Sequence, residues 1–131
     1  MLGIDLWDKR VWLATEVEWV VFPHSIVARV ELVRIVKKLV RDKNIQTIVV
    51  GLPYDLYGKD TKQLDKTEKY IEKLKIIFSK IQVIGFDERF TSIEADSIKE
   101  KFWNKKQTAY KDDISAALIL EWYISLQKNN Y

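Results

Sequence analysis

Three short apolar runs open the chain, at 1–7 (MLGIDLW), 10–15 (RVWLAT) and 17–22 (VEWVVF), separated by charged residues. β-Branched and aromatic residues dominate them, and links this short suit an antiparallel meander of three strands. Asp8-Lys9 marks the first turn, and Pro23 closes the section. From Ser25 to about Asp42 the step changes. Ile26, Val30, Val33, Val36 and Val40 recur every three or four residues among Arg and Lys, which predicts an amphipathic helix. Residues 46–50 (QTIVV) read as a short buried strand that stops at Gly51-Leu52-Pro53, with a loop through Gly58 behind it. Leu64, Ile71, Leu74 and Phe78 make one stripe of a helix over 61–79, and 81–86 (IQVIGF) is a further strand. Thr91 stands three residues before Glu94, a capping-box spacing that predicts a helix from about Ser92 to Phe102. The last helix is predicted over 112–127, with Asp112 as its N-cap.

The resulting order, β-β-β-α-β-α-β-α-α, predicts an α/β fold. It is a mixed five-stranded sheet, antiparallel across its three N-terminal strands, with helices laid on its faces by right-handed crossovers. A length of 131 residues fits one domain of ordinary size over 1–131. Hydrophobic residues make up 47% of the chain and charged ones 31%, a balance that supports a core without staples. The absence of cysteine excludes disulfides, zinc-thiolate centres and thiol nucleophiles. Asp5 interrupts the first apolar run too early for a signal peptide, and no run approaches the roughly 18–20 residues that span a bilayer. A cytoplasmic protein without a membrane partner is expected. The net charge of +3 is compatible with a polyanionic ligand but adds little, since lysines on helices are ordinarily solvated.

Four segments carry candidate chemistry. Asp5 lies mid-strand in GIDLWDKR, where aspartate has poor propensity and its burial is costly. A cation, Arg10 or backbone donors would compensate it, and an edge-strand carboxylate facing water is the plain alternative. In VVGLPYDLYGK (49–59), Gly51 and Pro53 place a tight turn at the carboxyl end of a strand, where α/β sheets bind ligands. An ordinary strand-to-helix turn would look the same. Asp87 and Glu88 stand where a strand gives way to a helix, and alternation lets only one of them share Asp5's face. Arg89 beside them would meet a phosphate or hold the other acid. Acids at a helix N-terminus are also favoured by the macrodipole alone. In KDDISAALILEW (111–122), the cap accounts for Asp112 and leaves Asp113 over. Acids gathered from three elements at one sheet edge would repel one another unless divalent cations held them. All-oxygen ligands suit Mg²⁺ or Mn²⁺, and two such ions roughly 4 Å apart would clamp a scissile phosphodiester.

In order, these four motifs resemble the YqgF/RuvX family of Holliday-junction resolvases and ribosomal RNA-processing nucleases over nearly the whole chain. They comprise Gly3, Asp5 and Arg10; Val49, Val50, Gly51, Leu52, Pro53 and Gly58; Asp87, Glu88, Arg89, Thr91 and Ser92; and Lys111, Asp113, Ala116 and Ala117. The resemblance implies an RNase H-like fold and a metal-dependent endonuclease. Its carboxylates would be Asp5, Asp87 or Glu88, and Asp113, with Arg10, Lys59, Arg89 and Lys111 meeting the nucleic acid. It points to two substrates, precursor 16S rRNA and four-way DNA junctions, and the rRNA role is preferred because so short a chain offers little surface for gripping a junction and dimerising. A monomer would serve RNA and a homodimer a junction. Trp7 and Trp12 stand where the family commonly has glycine in the first hairpin. These rings are expected to pack over the sheet or a partner protein, the alternative being that one stacks on an unpaired base. A non-catalytic nucleic-acid-binding or ribosome-assembly module is the competing function. His24, the lone histidine, is expected at the entry to the first helix.

Overall fold

A computed structural model describes residues 1–52, 61–87 and 115–129. Five strands, β1 (Leu2–Leu6), β2 (Arg10–Val17), β3 (Val20–Ala28), β4 (Thr47–Leu52) and β5 (Gln82–Asp87), form one mixed sheet in the order β3-β2-β1-β4-β5. β1, β2 and β3 run antiparallel as a meander, and β4 and β5 add in parallel to β1. Helices α1 (Leu32–Lys43), α2 (Thr61–Ile77) and α3 (Ser115–Asn129) complete the described chain. The predicted mixed sheet with its antiparallel N-terminal half is present. The predicted helix over 92–102, and with it Pro53, Gly58, Lys59, Glu88, Arg89, Lys111 and Asp113, lies outside the described residues.

Alternation along the strands divides the interior in two. Leu2, Ile4, Leu6, Val11, Leu13, Ile48, Val50 and Val83 face α1 and α2, meeting Leu32, Val36 and Leu39 from one and Ile71 and Leu74 from the other, with Phe78 just past the end of α2. The opposite face sets Ala14, Val21, Val49 and Phe86 against Ala116, Ala117, Ile119, Leu120 and Ile124 of α3. Here the sheet and helix come close because β1 offers Gly3. A Cβ on Gly3 would stand 2.6 Å from Leu120 Cγ and 2.8 Å from the Ala116 carbonyl oxygen.

Two expectations are corrected. β2 turns into β3 at Glu18-Trp19, both with positive φ (51° and 70°), a geometry that closes two-residue hairpins. Neither residue is a usual turn former, so the third strand was expected too early. β3 then continues through Pro23 to Ala28, where a helix was expected from Ser25. Ser25, Ile26, Val27 and Ala28 pair instead with Leu13, Trp12, Val11 and Arg10. Pro23 is tolerated because β3 is an edge strand. The register jumps from Ala14↔Pro23 to Leu13↔Ser25, leaving His24 as the extra residue of a bulge rather than at a helix entry. The helix begins only after a 3₁₀ turn at Arg29–Glu31, and its buried stripe is Leu32, Val36 and Leu39. Val30, expected on that stripe, is 93% exposed. Among the described residues no helix is long and apolar enough to cross a membrane.

Candidate active site

Asp5 sits one residue from the end of β1, in the centre of the sheet, between Trp12 on β2 and the end of β4. With Leu2, Ile4 and Leu6 turned to the α1/α2 core, Gly3 and Asp5 turn to α3. The close seat that Gly3 gives α3 brings the first residue of that helix to the carboxylate, where the Ser115 hydroxyl donates to Asp5. On the other side the Trp7 indole donates from Nε1 to Asp5 Oδ2 at 2.9 Å. Burial pushes the Asp5 carboxyl above its ordinary value, and the bonds from Ser115 and Trp7 only partly oppose that shift. No Lys or Arg is ion-paired with Asp5 among the described residues. Arg10, considered from sequence as its compensating charge, is exposed at the start of β2 on Asp5's side of the sheet. The actual partners are an indole and a hydroxyl.

Sequence reasoning missed both. Trp7 was expected merely to pack, and it does meet Trp12 edge to face with centroids 5.6 Å apart, but its N–H serves the carboxylate. Trp12 Nε1 is buried with no hydrogen-bond partner. The one available signal for Ser115 was its place in the first turn of a helix already suspected of delivering an acid.

Asp87 ends β5 opposite Leu52. Val83 faces the α1/α2 core, so alternation puts Gly85 and Asp87 on that side and Phe86 on the side of Asp5. β4 lies between β1 and β5, which separates the two backbones by roughly 10 Å. Asp5 and Asp87 are therefore not brought together. Gly51 is buried in β4 opposite Phe86, inside the strand rather than at its stop.

Among the described residues no group of three or more His, Cys, Asp or Glu side chains could hold a metal ion. Asp5 nonetheless fits one. It is a half-buried oxygen donor whose charge desolvation disfavours, with neutral hydrogen-bond partners and no ion-paired cation among the described residues. That chemistry favours a hard cation such as Mg²⁺ or Mn²⁺.

A central-strand carboxylate met by the first turn of the last helix, on a sheet of this order, agrees with a match of residues 1–126 to the model of the RuvX family, described as Holliday junction resolvase. The chain belongs to the RuvX family. Its RNase H-like fold follows from that membership and from the observed sheet. Curated relatives extend over nearly the whole length. A protein of Fusobacterium nucleatum is 29% identical, with 97% of each chain covered. One from Amoebophilus asiaticus is 31% identical over 100% of this chain and 97% of its own. A Sulfurihydrogenibium protein reaches 34% over 95% and 88%. All three carry the name "Putative pre-16S rRNA nuclease". RuvX membership thus makes this a chain of a nuclease family.

Proposed function

We propose that this RuvX chain is a Mg²⁺- or Mn²⁺-dependent endonuclease that processes the 5′ end of precursor 16S rRNA, with Asp5, Glu88 and Asp113 as its metal-holding carboxylates. The observation that carries the reading is Asp5 itself, a half-buried carboxylate with no ion-pair partner among the described residues, in contact with the first residue of α3. Asp113 precedes Ser115 by two residues, so no more than about 7 Å of backbone separates it from the residue that touches Asp5. The strand alternation that turns Asp87 away from Asp5 favours its neighbour Glu88 as the second ligand. The names of the relatives favour RNA as the substrate.

Ions held by Asp5, Glu88 and Asp113 would supply activation of a water and stabilisation of the leaving oxygen of the cut phosphodiester. The chain's own residues set up that chemistry. Trp7 and Ser115 fix the orientation of the Asp5 carboxylate through two donors. Arg10, exposed on the same side of the sheet, is assigned to meet a phosphate, as are Lys59, Arg89 and Lys111. Pro53 and Gly58 are assigned the turn behind β4, where a glycine would let nucleic acid approach the backbone, and Gly51, buried within β4, a structural place in the strand.

The family description favours a second reading, hydrolysis of a four-way DNA junction, for which a homodimer would present two clefts. One experiment separates these readings from a non-catalytic binding module. Precursor 16S RNA and a synthetic four-way junction are incubated with the wild type and with Asp5→Asn in Mn²⁺. The wild type should cut the RNA, and Asp5→Asn should lose about 10²–10⁴-fold in rate while still binding it. Cutting of the junction alone would move the assignment to a resolvase, and a wild type that binds but cuts neither would leave the binding module.

A further inference from the structure

We propose that a cleft on the other side of the sheet from Asp5 grips a non-reacting phosphate of the nucleic-acid strand, giving this chain a second backbone contact away from the bond that is cut; the identity of the ligand rests on the nuclease reading. The cleft has a volume of about 450 Å³ and is walled by Asp8 and Lys9 of the first turn, Arg29 and Val33 near the start of α1, and Tyr70 and Lys73 of α2. Three of its seven lining residues are cations. None of them takes part in an ion pair among the described residues, although Asp8 lines the same space.

Two of the cations, Arg29 and Lys73, are held rather than scattered. Arg29 donates from Nη1 to the Trp7 carbonyl oxygen at 2.9 Å, and its backbone N–H donates to the Lys9 carbonyl oxygen at 2.9 Å. Its guanidinium carbon lies 5.0 Å from the Tyr70 ring centroid, and Lys73 Nζ lies 5.4 Å from the same centroid. One ring thus gathers two like charges, an arrangement that repels itself until an anion enters. Burial pushes the Tyr70 hydroxyl up, opposed by Arg29, so at neutral pH it keeps a proton to donate. A guanidinium fork, two ammonium groups and a phenol are the donor set of a phosphate site. Two contacts tie Arg29 to residues 7–9, and Trp7 is also the residue that donates to Asp5. The cleft and Asp5 therefore flank the same turn at one end of the sheet. A strand crossing that turn would meet both.

The test uses the full chain, Lys9→Gln/Lys73→Gln, and a control, Lys37→Gln/Lys38→Gln, which removes the same charge from exposed positions of α1 outside the cleft. A single-stranded RNA oligonucleotide is titrated by fluorescence anisotropy in EDTA, so that nothing is cut, over a series of salt concentrations. Lys9 and Lys73 are exposed, and the thermal midpoint of each variant checks that the fold survives. If both lysines meet phosphate, the slope of log affinity against log salt should fall by about 1.4 in the cleft variant, at about 0.7 per contact, and hold in the control. An unchanged slope in the cleft variant, or an equal fall in both, overturns the cleft and leaves the nuclease reading intact. A wild type that binds no RNA overturns the RNA assignment together with the cleft.

Discussion

The two faces of the sheet are built on opposite principles. Toward α1 and α2 the strands present Leu, Ile and Val, and those helices stand off on large side chains. Toward α3 the contact is made by small residues, Gly3 and Ala14 against Ala116 and Ala117, so helix and sheet nearly touch. The first face supplies most of the large buried side chains. On the second, closeness brings Ser115 onto the Asp5 carboxylate. Stability and chemistry are thus divided between faces, and the small residues of the second are part of the site.

The sharpest way to break this contrast is to add one methyl group to each face. Gly3→Ala puts a Cβ 2.8 Å from a backbone oxygen that cannot swing away, so α3 must shift. A loss of about 3 kcal/mol in a urea titration is expected, at the upper end of overpacking costs. Gly85→Ala on the other face meets only side-chain tips, Ile71 Cδ1 at 3.1 Å and Leu52 Cδ1 at 3.3 Å. Reduced freedom of the unfolded chain offsets that crowding, and stability should stay within about 0.5 kcal/mol of wild type. Equal losses at the two positions would mean that α3 is no closer to the sheet than α2.

Part of this contrast was legible in the sequence, and the physical reasons for the rest differ. β1, β4 and β5 were readable because continuous or alternating apolar runs have few other homes. The stripe of α2 was readable as well, except that Thr67, buried between Leu64 and Ile71, continues it with a polar residue. The β3–α1 boundary failed because Ile26, Val30 and Val33 happen to keep helical spacing, while pairing with β2 decides the conformation of Ser25–Ala28. Tertiary pairing overrides a local period there. Asp5 announced itself as an acid inside an apolar strand. Its partners did not, because Ser115 reaches it from the far end of the chain and Trp7 from a turn. The cleft of Lys9, Arg29 and Lys73 is likewise an assembly of three distant segments, each unremarkable as a solvated charge.

The next prediction concerns the charge at Asp5. Its carboxyl holds a proton more tightly in the folded protein than in the unfolded chain. Its contribution to stability therefore falls as pH rises from the ordinary value of 3.8 through the raised folded value, and above that window the full penalty remains. Asp5→Asn removes the penalty, and the Ser115 hydroxyl can rotate to accept from the new amide. In EDTA at neutral pH the variant should be the more stable of the two in urea, and the difference should vanish below the aspartate range. Mn²⁺ should raise the melting temperature of the wild type and leave Asp5→Asn unmoved. A variant less stable than wild type at neutral pH without metal would show that Asp5 serves the fold rather than an ion.

The last effect isolates a single hydrogen bond. Trp7→Phe keeps a ring to meet Trp12 and deletes the indole N–H that donates to Asp5 Oδ2. Trp7 is 55% exposed, so water can partly replace the lost donor, and the cost at neutral pH should be about 1 kcal/mol rather than the larger values of enclosed charged bonds. Because this bond favours the ionised carboxylate, its removal raises the Asp5 carboxyl further. The loss should therefore shrink as acid protonates Asp5. Comparing Trp7→Phe in the wild-type and Asp5→Asn backgrounds turns this into a double-mutant cycle. A coupling near zero would assign Trp7 to packing alone. A coupling that accounts for most of the loss at neutral pH and fades in acid would identify the tryptophan as the residue that holds the carboxylate ready.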